Sequence, residues 1–90
     1  MNRAERQALK WEIRQTYQAR ERTPLRELIE SLPRRYRDLL EDKYLRRLKW
    51  DEMQDRHYYS EGQMRNILNA ALEELRRRLD AAEKQSENGG

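Results

Sequence analysis

The chain has no cysteine, no valine and no phenylalanine, and its one histidine is His57. Without cysteine there is no disulfide, no thiolate metal site and no cysteine nucleophile, which fits a reducing compartment. A single histidine cannot build a histidine metal cage. No apolar run approaches the roughly 20 residues of a membrane span. The opening Met1-Asn2-Arg3-Ala4-Glu5-Arg6 lacks the apolar stretch of a signal peptide. Only Ile13, Thr16, Thr23, Ile29 and Ile67 are β-branched, which argues against a sheet. Ninety residues leave no room for a barrel or a doubly wound enzyme.

Helix formers fill the chain instead: twelve leucines, with Ala, Glu, Arg, Lys and Gln. The reading is an all-α domain of about five helices. Charged residues (20 basic, 17 acidic) outnumber apolar ones, so the core must be thin.

Breakers divide the chain at Thr23-Pro24, Leu32-Pro33, Tyr58-Tyr59-Ser60 and Gly89-Gly90. A first helix is expected over 3–21, with Leu9, Ile13 and Tyr17 on one face. Thr23 caps a second, with Pro24 at its first position, where the missing N–H costs nothing. Leu25, Leu28, Ile29 and Leu32 form its stripe. A third helix runs from about Pro33 to Arg46 on Tyr36, Leu39, Leu40 and Tyr44. A short fourth covers Trp50 to Arg56, with Trp50 and Met53 inward.

Ser60 and Gln63 match a capping box that opens a long fifth helix. Met64, Ile67, Leu68, Ala71, Leu72, Leu75 and Leu79 make its apolar stripe. Polarity from Asp80 onward predicts a frayed, disordered tail over 80–90. The organisation is therefore N-terminal helices over 1–31 (a brace or a partner surface), a functional unit over 32–79 and the tail.

A short helix, a tight turn and a longer helix with polar residues at its start make a helix-turn-helix pattern. Arginine pairs bidentately with guanine, and asparagine and glutamine pair with adenine. Gln63, Arg65, Asn66 and Asn69 supply these groups on the solvent side of the fifth helix. Gly62 would allow close approach of a sugar-phosphate backbone, and a free helix N-terminus at Ser60 favours phosphate. Residues 32–79 carry 12 basic and 9 acidic side chains, an excess that matters only if the cations cluster. Arg34, Arg35, Arg46, Arg47 and Lys49 are the candidates for phosphate contacts.

Leu32-Pro33, Arg37, Leu39-Leu40, Lys43-Tyr44-Leu45, Trp50-Asp51-Glu52-Met53, Tyr59-Ser60, Gln63-Met64 and Ala71-Leu72 resemble, in that order, region 4 of sigma-70-type factors. The resemblance is closer still to phage transcription regulators of the RinA/ArpU type. It spans residues 32–79 and implies a helix-turn-helix that binds promoter-type double-stranded DNA, with RNA polymerase as a further partner. A stand-alone regulator in a bacterial host cytoplasm is the expectation, rather than a complete sigma factor. Lys43, Lys49 and His57 depart from the usual pattern.

Other features have plainer readings. His57 packs near the turn, and Glu41-Asp42 and Asp51-Glu52 are solvated surface pairs. Trp50, Tyr44, Tyr58 and Tyr59 fill the thin core, and Arg76-Arg77-Arg78 is a solvated helix end. Trp11 sits opposite the Leu9/Ile13/Tyr17 stripe, either packed within the chain or offered to a partner such as a second copy or polymerase. No nucleophile with a base, phosphate loop, metal set or cofactor motif is legible, so the chain reads as a non-enzyme. Rival readings are a DNA-packaging (small terminase-like) or recombination accessory and a helical adaptor that binds no DNA.

Overall fold

The Asn2 side chain accepts the Glu5 backbone N–H at 2.8 Å and so opens the first helix, α1, Arg3–Gln18. The computed structural model describes residues 1–88. α1 ends three residues before the expected Glu21, because Ala19 turns extended once Tyr17, the last member of its buried stripe, has passed. The Thr23 hydroxyl accepts the Arg26 N–H at 3.1 Å and, with Pro24, opens α2, Pro24–Glu30. Pro33 follows and starts α3, Arg34–Leu40.

One α-helix was expected across 33–46, but α3 passes into a π-helical turn, Glu41–Leu45, closed by Arg46 N–H on the Glu41 carbonyl at 2.9 Å. Both sides of this turn are covered. Asp42 bonds to α4, Trp50–His57, while Tyr44 faces α1 beneath Arg14. Arg47 then adopts left-handed backbone at φ 57°. Lys49 has no side-chain acceptor, so α4 opens on half a capping box, with the Glu52 carboxylate accepting the Lys49 N–H at 3.0 Å. Tyr58, left-handed at φ 58°, ends α4 by donating its N–H to the Gln54 carbonyl at 2.9 Å.

The Ser60/Gln63 box forms in both directions. Ser60 N–H donates to Gln63 Oε1 at 2.9 Å, and Gln63 N–H donates to Ser60 Oγ at 3.2 Å. The last helix, α5, spans Glu61–Asn88. The tail expectation is corrected over 80–88, which is helical; Gly89 and Gly90 lie outside the described residues. Alanines and pairs one turn apart (Arg76 to Asp80, 2.8 Å) sustain the helix beyond the apolar stripe. Arg76-Arg77-Arg78 is accordingly mid-helix and paired with Asp80 and Glu74, not a solvated end.

One core joins Leu9 and Ile13 of α1, Ile29 of α2, Leu39 and Leu40 of α3, Met53 of α4 and Met64, Leu72 and Leu75 of α5. All five helices thus share an interior, and no strand occurs among the described residues. No described helix is long and apolar enough to cross a membrane. Two aromatic and acidic expectations fail. Tyr58 is 92% exposed, because its left-handed backbone turns it outward. Asp42 is buried at 1% exposure, because the π-helical turn aims it at three cationic side chains.

Candidate nucleic-acid interface

The α5 stripe of Met64, Leu68, Ala71, Leu72 and Leu75 is buried, so helical periodicity forces the opposite face outward. Gln63, Arg65, Asn66 and Asn69 are all exposed there. They differ in freedom. The Gln63 amide oxygen is spent on the Ser60 N–H, and the Ser60 hydroxyl on the Gln63 N–H. Arg65 Nε donates to Glu61 at 2.9 Å, and its guanidinium lies over the Trp50 ring, 4.8 Å from the centroid. Gly62 is exposed, and a Cβ built there would meet nothing within 4 Å. The fold itself therefore does not require glycine at that position.

A groove of about 410 Å³ runs between α1 and the start of α5. Arg3, Arg6, Lys10 and Arg14 line it from α1, Lys43 from the π-helical turn and Arg65 from α5, with Asn69 beside them. Tyr44, Trp50, Leu68 and Leu72 supply its apolar part, and no carboxylate lines it. Lys43 Nζ sits 4.2 Å from the Trp50 centroid, so the indole carries a cation from each of two elements. Partial burial, and then the charges of Arg6, Arg14, Arg65 and Lys43, push the Lys10 ammonium below its ordinary pKa.

The phosphate candidates from the sequence are placed elsewhere. Arg46 is bound by Asp42 at 2.8 Å and lies 3.7 Å from Glu41, so its charge is answered within the fold. Arg47 and Lys49 are exposed on the connection into α4, outside the groove. Arg34 pairs with Asp38 at 3.5 Å. The cations that do converge lie on α1, and their signal is present in the sequence: Arg3, Arg6, Lys10 and Arg14 recur at helical spacing. Spacing alone does not specify which helix that stripe faces.

His57 packs beside the turn as expected, and its Nε2 lies 2.5 Å from Asp42 Oδ2. Burial pushes the Asp42 carboxyl up, but hydrogen bonds from His57, Arg56 and Arg46 outweigh it and hold the group below the usual carboxylate range. Trp11 is 60% exposed on the other side of α1. There it borders a shallow apolar depression with Ala19, Pro24, Leu25 and Leu79. No protein-family model matches the chain, and no match was found among curated proteins or solved structures.

Proposed function

We propose that the chain is a sequence-specific, double-stranded-DNA-binding transcription regulator of the sigma region 4-like kind. In this reading α4, the Tyr58-Tyr59-Ser60 turn and α5 act as the helix-turn-helix, and the first turns of α5 enter the major groove. Arg65 reads guanine, and Asn66 and Asn69 read adenine. Gln63 has its amide oxygen occupied, so its NH₂ is the group left to meet a base acceptor. Ser60 and Gly62 stand where the helix N-terminus would approach phosphate, with Arg47 and Lys49 at the flank. Arg46 is the weakest of the sequence candidates, because Asp42 holds it.

One observation carries the reading: the exposed Arg65, which Glu61 pairs, and Asn69 border a groove lined by five further cations, Arg3, Arg6, Lys10, Arg14 and Lys43, and no carboxylate. Like charges gathered in this way oppose the compact state, and a bound polyanion would relieve that opposition. RNA polymerase or a second copy would use the Trp11 side, which the DNA surface leaves open. Such a regulator works in a bacterial host cytoplasm.

The test is selection of bound duplexes from a random pool, followed by gel-shift titration of the enriched sequence. A recurrent motif bound in preference to its scrambled version is the expected result. No enrichment, together with no duplex binding at low salt, rejects the reading in favour of a protein-binding adaptor.

A further inference from the structure

The cations of this chain are not distributed evenly with respect to its acids. Arg22 and Arg26 pair with Glu30, Arg34 with Asp38, Arg46 and Arg56 with Asp42, and Arg76 and Arg78 with Asp80 and Glu74. Among the described residues, Arg20, Arg35, Arg37, Arg47, Lys49 and Lys84 stand without an ion pair at scattered places outside the groove, whereas Arg3, Arg6, Lys10, Arg14 and Lys43, also without a carboxylate within ion-pair distance, line it together. The net charge is only +3, so five unpaired cations around one groove are a local concentration. Both acids of α1 lie off the stripe: Glu5 is bonded by Asn2, and Glu12 borders the Trp11 depression. Like charges held together oppose folding. The Lys10 pKa is lowered by partial burial first and then by these neighbouring charges.

We propose that the α1 stripe of Arg3, Arg6, Lys10 and Arg14, faced by Lys43 across the groove, binds the phosphate backbone of the duplex whose bases meet Arg65 and Asn69. This rests on the DNA-binding reading above and adds a second contact element, α1, to the helix-turn-helix. Dimensions favour a polyanion over a small anion. Arg3 and Arg14 are 11 residues apart, about 16 Å along the helix axis. One phosphate spans a small part of that length, whereas a DNA strand passes about five nucleotides along its axis in the same distance. The aromatic rings hold the cations without cancelling them. Lys43 and Arg65 lie on Trp50, and Arg14 lies 5.5 Å from the Tyr44 centroid. Arg6 Nε is buried with no acceptor in the protein.

The test uses the full chain and a fluorescein-labelled 20-base-pair duplex of scrambled sequence, with anisotropy titrations between 50 and 200 mM salt. The triple variant Arg6→Gln/Lys10→Gln/Arg14→Gln should lower the slope of log affinity against log salt by up to about 2.7, and Lys43→Gln by about 0.9. At 100 mM salt the triple variant should bind the scrambled duplex about tenfold more weakly or worse. The ratio of selected-sequence to scrambled binding should stay constant, because backbone contacts carry no base information. Arg20→Gln, off the groove, should leave the slope unchanged.

A second readout guards against a folding defect. In a Trp11→Phe background Trp50 is the only indole, and duplex addition should change its emission as phosphates draw on Lys43 and Arg65. A wild-type slope in both groove variants overturns the proposal, even if α5 variants abolish sequence preference. An equal loss from Arg20→Gln also overturns it, as does binding of poly-glutamate as tight as that of the duplex, which would mark an acidic protein partner. Conversely, if Asn66→Ala and Asn69→Ala leave sequence preference intact while the groove variants lower the slope, α5 base reading fails and the α1 site stands.

Discussion

The guanidinium of Arg65 stacks over Trp50 at 4.8 Å while its Nε donates to Glu61 at 2.9 Å. One exposed side chain of α5 is thus held by a ring that leaves its charge intact and by a carboxylate that answers it. Arg65→Ala should cost about 1–3 kcal/mol of specific binding and relax preference at one base pair. Glu61→Gln should act in the other direction, tightening binding to all sequences by about 0.5 kcal/mol, the scale of an exposed ion pair. Gel shifts on the selected duplex and on single-base variants of it check both. Unaltered preference in Arg65→Ala removes that residue from the base-reading set.

Gly62 separates stability from function. A methyl group there meets nothing in the fold, so Gly62→Ala should fold normally and gain up to about 0.5–1 kcal/mol from reduced backbone entropy in the unfolded chain. If α5 brings its N-terminus against a DNA backbone, the same methyl should weaken binding. Paired thermal melts and titrations give the answer, and a variant that is more stable and binds equally well would exclude close approach at this position.

Asp42 ties the π-helical turn to α4. Removing it should cost about 2–3 kcal/mol, because charge-assisted hydrogen bonds are lost while the cations left behind remain partly solvated. Its folded pKa is depressed, so its contribution is complete above the unfolded value near 4 and is lost as pH falls through the lower folded value. Denaturant melts should therefore show an acid loss below about pH 4 in the wild type. That loss should be shallower in Asp42→Asn, and identical acid limbs would contradict the assignment.

Tyr17 makes the alkaline counterpart. Burial, then Glu41, pushes its hydroxyl up to about 12, and that hydroxyl has no hydrogen-bond partner in the protein. The folded state keeps the proton that the unfolded chain releases near pH 10, so stability should fall as pH rises from about 10 toward 12. Tyr17→Phe should remove Tyr17's part of that fall and raise stability at neutral pH by about 1 kcal/mol, since an unsatisfied buried hydroxyl disappears. A destabilised Tyr17→Phe variant would show that the hydroxyl is satisfied after all.

Short-range signals proved legible. Thr23-Pro24 and Ser60 with Gln63 open helices as their capping chemistry requires, and Leu9, Ile13, Met64, Leu72 and Leu75 are buried as their spacing requires. The outward placement of Arg65, Asn66 and Asn69 follows from the same periodicity. Other features do not follow from those signals. Asp42 looked like half of a solvated acidic pair, Tyr58 like a core residue and residues 80–88 like a tail. Asp42 depends on partners 4, 14 and 15 residues away, and Tyr58 on a left-handed turn that ends α4. Residues 80–85 of α5 are exposed yet helical, sustained by local pairs and alanines that a polarity criterion overlooks.

Composition and periodicity alone were enough for an all-helical chain, for its helix starts and for the inward and outward faces of α5. These are consequences of backbone geometry and capping within a few residues. The meeting of α1's cations with Lys43, Trp50 and Arg65 was decided only by the packed fold. A helix stripe specifies what a surface carries, but its neighbour is chosen by the shared core, where residues far apart in the chain compete to exclude water.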